Sequence, residues 1–593
     1  MAELILGPML RHVTARTATI WVETDASCVV EILGHSTRTF CVARHHYALV
    51  IVDGLAPGST TEYVVRLDGE RCWPAEGSQF PPSRIRTLHE AMTPRIVFGS
   101  CRTAAPHTAP WSLEMTIDPT GRGVDAVYAY ALRMIREDPA EWPDLAVFIG
   151  DQIYADDSSP KTRARIAARR DDRPGTLPPE LVHGFQEFCW LYEESWSSDV
   201  ERWFLSVVPS AMIFDDHDMI DDWNISSTWI DKIRREPWWE DHVLSGLMTY
   251  WIYQHLGNLS PDTIRDEGLL DTLIAQPDGA QVLREWARNT EEFTSGPDRY
   301  RFSFVRDLGP ARLVMIDARN GRNLAAHQRR IIDQTEWDWV AKTCRAEVDH
   351  LLIGSSLPAF IPGGLHDLQV WTSALCDRRW GRAAARFGEW LRVSLDLEDW
   401  PAFIQSFDDL VALLSELGDA DRAHTPTTIS LLSGDIHFSY VSRIDFPTAM
   451  SSSVHQLVNS PIRNALRPHE RLAMRVAMSH AAIALGRVLR RAVGARRAIV
   501  RWKIDQGPVF ENCLGRLDFD QAGGTMVLER AKPSDSEGDP ELEQIFTTDL
   551  TDVATTSPPA FRFRRSLRPW PKSGLFGRRP AGYRHATDEP SRS

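Results

Sequence analysis

The sequence predicts an α/β protein preceded by a small all-β module. Three observations carry this. Short alternating runs separated by turn formers fill the first ninety or so residues. From about residue 94, apolar strand-like runs alternate with helical periodicity. Four segments far apart in sequence each end an apolar run with Cys, Asp, Tyr or His: Ile96 to Cys101, Leu145 to Asp157, Ser210 to Asn224 and Ile429 to Ser439. Such runs read as buried strands. Their ends converge only if the strands lie side by side, which is where α/β active sites sit.

In the first ninety residues the runs TATIWVET, CVVEILG, TRTFCVA, HYALVIVDGL and TEYVVRLDG are separated by Asp53-Gly54, Pro57-Gly58 and Asp68-Gly69. This spacing predicts a fibronectin-III-like β-sandwich over 1–90, with a structural or recognition role. Residues 94–533 then read as the catalytic domain. Val124 to Glu137, Glu187 to Trp196, Trp239 to Gly257 and Thr335 to Val348 have helical periodicity. Strand–helix alternation over several hundred residues implies a sheet covered on both faces. FENCLGRLDFD and GTMVLERA read as a closing hairpin. Residues 534–593 are polar, rich in Pro, Ser and Arg, and predict a disordered basic tail.

Composition narrows the class. At 593 residues the chain exceeds one compact domain. Its hydrophobic share of 43% and charged share of 25% are those of a globular protein. The net charge of −15 argues against nucleic-acid binding, which favours a basic surface. The eight cysteines form no CxxC and have irregular spacing, as expected of buried thiols in a reducing compartment. MAELILGPMLRHVTART has no charged n-region followed by an apolar run, and no stretch of eighteen apolar residues occurs. The expectation is a cytoplasmic protein without a membrane span. Residues 467 to 501 hold nine arginines and one acid, Glu470. The arginines do not keep to one helical face, since Arg490 falls on the line of Leu472 and Val476. A solvated helix packed on the acidic body is therefore expected rather than a membrane anchor.

The strand-end residues suit metal chemistry. Each oxygen of Asp151, after Gly150, can serve a different cation. Tyr154 lies three residues on. Only a strong Lewis acid such as ferric iron readily holds tyrosinate, whose proton normally leaves near pH 10. Cys101 favours a soft or charge-dense metal. Asp216 and Asp435 suit a hard ion such as calcium or magnesium. Asp435 and His437 share one strand face if the strand continues through them. His217 could act as an acid or stabilise an oxyanion, and Arg319 could grip two phosphate oxygens. Each residue alone has an ordinary explanation: a buried thiol, a turn, a helix cap, a core histidine, a surface ion pair. Their conjunction points to a metal-dependent hydrolase.

The motifs FGSC (Phe98 to Cys101), GDQIYAD (Gly150 to Asp156), DDHD (Asp215 to Asp218), DAR (Asp317 to Arg319) and SGDIH (Ser433 to His437) follow in an order that resembles the PhoD-like (alkaline phosphatase D) branch of the calcineurin-like metallophosphoesterases. The resemblance covers residues 1 to about 530. It implies a four-layer α/β/β/α core and hydrolysis of phosphate mono- or diesters by a metal-bound hydroxide. Iron(III) would be held by Cys101, Asp151, Tyr154 and His437, and calcium by Asp151, Asp216 and Asp435, with manganese, zinc or magnesium as alternatives. His217 would contact the substrate phosphate. Unlike secreted members, this chain lacks a twin-arginine signal. It also carries a helix-rich insert near Glu236 to Ser295, which is expected to reshape access to the site. The alternative is a metal-binding scaffold that uses the sandwich and the basic tail to interact.

Overall fold

The computed structural model describes residues 2–170, 181–292, 299–325, 328–534 and 538–551. These form one compact unit. At its centre two sheets face each other. In the first, Ser210–Ile213, Leu145–Ile149 and Arg95–Gly99 run parallel, and the antiparallel strands Cys513–Phe519, Gly524–Lys532 and Glu541–Asp549 extend them. In the second, Ala311–Ile316, His350–Ser355, Thr428–Ser433 and Ser453–Val458 are parallel. Phe304–Leu308 closes one edge; Ser439–Asp445 and Arg501–Val509 close the other.

The period-2 alternation of strand side chains explains the layering. In Ala311–Ile316, Leu313 and Met315 join the core shared with the first sheet, whereas Val314 and Ile316 join a separate core. Leu352 and Leu432 likewise face inward, and Ile353 and Leu431 outward. The outer core is completed by Trp337, Val340 and Cys344 of helix Gln334–Cys344 and by Leu410 and Leu414 of helix Ile404–Leu417. Asp333 starts the former helix by accepting the Glu336 N–H at 3.0 Å. On the opposite side, helix Ala126–Met134, capped by Asp125, buries Val127, Tyr130 and Ala131 against the first sheet. The result is the α/β/β/α core expected from the sequence, with an all-β region in front.

That region contains two four-stranded sheets, ordered Leu4–Val13, Ala18–Thr24, His45–Val52, Phe40–Val42 and His35–Arg38, Val29–Ile32, Val65–Leu67, Glu70–Trp73. Ala18–Thr24 is buried at every position, because its outer face is covered. Arg11 donates to the carbonyls of Tyr253 and Gln254 at 3.2 and 2.5 Å, and Tyr47 and Tyr253 meet through their hydroxyls at 3.2 Å. Tyr253 and Gln254 belong to the insert, whose long helix runs as Trp239–Tyr250 and then loosens into a π segment, Trp251–His255. The insert thus wedges between the β module and the core. It meets the Asp215–Asp218 loop where Gln254 Nε2 donates to Asp218 at 3.0 Å.

The expectation of a disordered tail from 534 needs correction. Glu541–Asp549 is an edge strand paired with Gly524–Lys532. Only Leu542 and Phe546 pack on the core. Two apolar residues on a half-exposed edge give too weak an alternation to be read as a strand. The rest of the expected tail, 552–593, lies outside the described residues.

Candidate metal centre

Parallel register sets the strand ends level. Gly99 lies opposite Phe148, and Ile149 opposite Ile213. Cys101, Asp151 and Asp215-Asp216 therefore emerge at one rim. Ile316 and Ser433 end their strands at the facing rim, with Asp317 to Arg319 and Asp435 to His437 just beyond. The rims are joined directly. Asn459 Nδ2 donates to the Phe98 carbonyl at 2.7 Å, the Ile462 N–H to Ser100 O at 2.7 Å, and the Asp435 N–H to Ser100 Oγ at 3.2 Å. Glycine is required at both junctions. A Cβ on Gly150 (φ +99°) would stand 2.5 Å from the Asp215 Cβ, and one on Gly434 would stand 2.1 Å from Ser100 Oγ.

Four of the six residues expected to hold metal have left-handed backbone: Cys101 (φ 55°), Asp151 (52°), Asp435 (66°) and His437 (55°). Each such residue costs about 1–3 kcal/mol and persists only where its surroundings over-determine it. Asp and His tolerate the conformation best, so Cys101 is the clearest outlier. The turns replace the continued strand expected for Asp435 and His437 and aim both inward from a tight loop.

The side chains meet as follows. The Tyr154 hydroxyl donates to Asp151 Oδ2 at 3.3 Å and accepts from Asn464 Nδ2 at 2.9 Å. The Asn464 carbonyl pairs with His437 Nδ1 at 2.7 Å. That bond places the proton on Nδ1 and leaves the Nε2 lone pair open for a ligand role. Cys101 Sγ accepts from Ser460 Oγ at 3.1 Å and lies 3.6 Å from the Asp435 carbonyl. Donor atoms of Asp151, Asp216 and His217 lie within 4.8 Å of one another, as do those of Asp215, Asp216 and Asp435, so Asp216 belongs to both groups. A third group, His107, Asp125 and Glu201, is already compensated by Arg102, which bonds Asp125 at 2.8 Å and Glu201 at 2.6 Å.

Arg319 does not occupy the position expected of a phosphate clamp. It is 0% exposed. Its Nε bonds Asp215, one terminal nitrogen bonds Glu398, and the other lies 3.3 Å from Asp216 and 3.2 Å from Asp435. Asp317 shapes the loop by accepting the N–H groups of Arg319 and Asn320, each at 2.9 Å. Arg319 thus organises the acidic rim from beneath. His217 differs: it is partly exposed, its Nδ1 bonds Asp156 at 2.9 Å, and its Nε2 stands 3.9 Å from Asp221.

Electrostatics follow from this placement. Burial drives the Asp151 carboxyl well above the usual carboxylate range, and the nearby Cys101 adds to it. Burial and Asp215 do the same to Asp435. Burial also opposes charge on Asp216, but Arg319 and His217 outweigh it and hold Asp216 below that range. Burial disfavours a charged His217, yet Asp156 and Asp216 overcome this and raise it well above an ordinary histidine. Burial keeps His437 low, in the neutral form that a ligand needs. The buried Oδ1 of Asp151 and Oδ2 of Asp215 have no hydrogen-bond partner among the described residues. Orphaned buried carboxylate oxygens beside a thiol, a phenol and an open imidazole nitrogen form a donor set that fits cations.

The sequence reading missed Asp156, Asp215, Glu398, Asn464 and Ser460 as functional neighbours. Asp156 and Asp215 lie inside quoted motifs. Asn464 ends NSPIRN, which follows the apolar strand Ser453–Val458 in the same strand-then-polar design. Glu398 carries no local signal.

A family model described only as a domain of unknown function (DUF7800) matches residues 1–85. No curated protein matches the sequence. A solved structure of PhoD is similar at 12% identity, with a TM-score of 0.56, over 92% of this chain and 90% of that one. A purple acid phosphatase from yellow lupin (Lupinus luteus) seeds is also found, at 12% identity and a TM-score of 0.43, over 90% of this chain and 73% of that one. The likeness to PhoD extends over nearly the whole of both chains, and the chain shares the PhoD fold.

Proposed function

We propose that the chain is a metal-dependent phosphoesterase acting on phosphate mono- or diesters in the cytoplasm. The observation that carries this is the meeting of Cys101, Asp151, Tyr154, Asp216, Asp435 and His437 where two sheets end, with Asp151 Oδ1 buried and unpaired. Cys101, Asp151, Tyr154 and His437 would hold the softer, more charge-dense ion, iron(III) in this reading. Asp151, Asp216 and Asp435 would hold a hard one such as calcium. When bound, such cations would supply the Lewis acidity that lowers the pKa of water and offsets phosphoryl charge.

The chain's own groups complete the chemistry. Arg319 fixes the relative positions of Asp215, Asp216 and Asp435. Asn464 orients Tyr154 through its amide and His437 through its carbonyl. Asp156 keeps the proton of His217 Nδ1 engaged, so Nε2–H is the donor for a phosphoryl or leaving-group oxygen. Purified protein should hydrolyse mono- or bis-nitrophenyl phosphate, lose turnover with a chelator and regain it on remetallation. Bound metal without hydrolysis of either ester would instead favour the scaffold reading.

A further inference from the structure

Helices Pro468–Ala477 and His480–Ala492 show their apolar residues to solvent. Leu472 is 62% exposed, and Val476, Leu485 and Val488 are each 60% exposed. On the second helix Ala481, Ala484, Leu485, Val488 and Ala492 form an outward stripe at i, i+3, i+4, i+7 and i+11. Arg490, which broke the amphipathic pattern in sequence, is turned inward: it is buried and its Nε bonds Asp367 at 2.7 Å. With Arg490 removed from the surface, an apolar stripe remains, flanked by Arg487 and Arg491. Neither of these, nor Arg496 or Arg497 beyond, makes an ion pair among the described residues.

A third helix extends the feature. Gly381–Ser394 exposes Phe387 (48%) and Trp390 (61%), with Arg382 and Arg386 beside them. Its Ala384 and Leu391 pack in the same small core as Leu489 and Val493, so the two helices flank Gly363–Cys376 together. Exposed apolar residues clustered on neighbouring helices normally mark an interaction site.

We propose that this face docks on an anionic phospholipid surface. Exposed aliphatic and aromatic residues bordered by arginines are the composition of a helix lying in the headgroup layer. Helices of 10 and 13 residues span about 15 and 20 Å, too short for the roughly 30 Å hydrocarbon core. Only together, across a 59° bend, do the two have the length and apolarity of a broken span, and no single helix among the described residues does. The second helix packs along Gly363–Cys376 and buries Gly486 and Arg490 on that side, so one face only is open to lipid and the pair lies on the surface. Charge selects this occupant over others. The chain's own stretch 562–584 has seven arginines and no acid, the same sign as the rim. A second copy placed face to face would oppose the two arginine rims. The overall charge of −15 opposes approach of the rest of the chain to an anionic surface, so attraction rests on the local arginines and orients this face toward lipid.

The test is cosedimentation of the full chain with phosphatidylcholine vesicles, with and without phosphatidylglycerol. Binding should require phosphatidylglycerol and fall with salt. Arg487→Gln with Arg491→Gln should weaken it by roughly thirty-fold, about five-fold per charge. Leu485→Asp with Val488→Asp should abolish it, while melting temperature and ester hydrolysis stay unchanged, since these side chains are exposed. No binding to anionic vesicles at low salt overturns the proposal. So does equal binding to phosphatidylcholine alone, or a concentration-dependent dimer that the Leu485 and Val488 changes dissociate.

Discussion

Replacing Arg319 by Met removes the cation beneath the acidic rim while keeping most of its volume. Arg319 is 0% exposed and serves Asp215, Asp216, Glu398 and Asp435. Of these, Glu398 retains Arg322 at 2.6 Å, whereas Asp215 keeps no side-chain cation among the described residues. Removing one partner from a buried ion pair costs about 3–5 kcal/mol, because a charge is left uncompensated. Unfolding entropy is about 2.1 cal/mol/K per residue. Over the roughly 550 residues of the compact unit this is about 1.2 kcal/mol/K, so the melting temperature should fall by only about 2–4 °C. Calorimetry of the chelator-treated chain resolves such a shift. Saturating metal should shrink it, since bound cations would replace part of the lost charge. An unchanged melting temperature with a ten-fold or greater rise in KM would refute this reasoning. It would restore Arg319 to the phosphate-gripping role.

His217→Ala should cut turnover by about 10² to 10⁴ while bound metal stays, and loss of metal would make His217 a ligand instead. A ferric ion on Tyr154 should give a visible charge-transfer band that Tyr154→Phe shifts or bleaches. A colourless, iron-free and fully active protein would rule the ferric reading out. A chain ending at Lys532 loses Glu541–Asp549 and bares the edge of Gly524–Lys532, so it should aggregate. A chain ending at Pro558 should keep its solubility and its hydrolysis of small esters. Equal behaviour of the two truncations would mean that the edge strand contributes nothing.

Most of the rim was legible because each contributing segment carries its own signal, an apolar run followed by Cys, Asp, Tyr or His. Asp151 and His437 could be read that way without any knowledge of their neighbours. What stayed hidden depends on contacts across the fold. Arg319 reads like any strand-end arginine until four carboxylates from three other segments surround it. Glu398 sits in a stretch with no motif, and its role exists only through Arg319 and Arg322. The insert shows the same dependence on tertiary contact: only the structure reveals that the Tyr253 and Gln254 carbonyls accept from Arg11 of the β module. Arg490 shows the same limit. In sequence it spoils an amphipathic face, and only its bond to Asp367 takes it out of that face.

The proposed chemistry rests most heavily on Asp151, which would join the metal centre on which hydrolysis depends. Its carboxylate is buried, one oxygen accepts from Tyr154 and the other has no partner among the described residues. The most direct test is elemental analysis of wild type and Asp151→Ala, purified identically, with turnover of bis-nitrophenyl phosphate measured on the same samples. Bound metal and turnover should be lost together while the chain stays folded. Normal metal stoichiometry in Asp151→Ala, or turnover that survives loss of the metal, would contradict it.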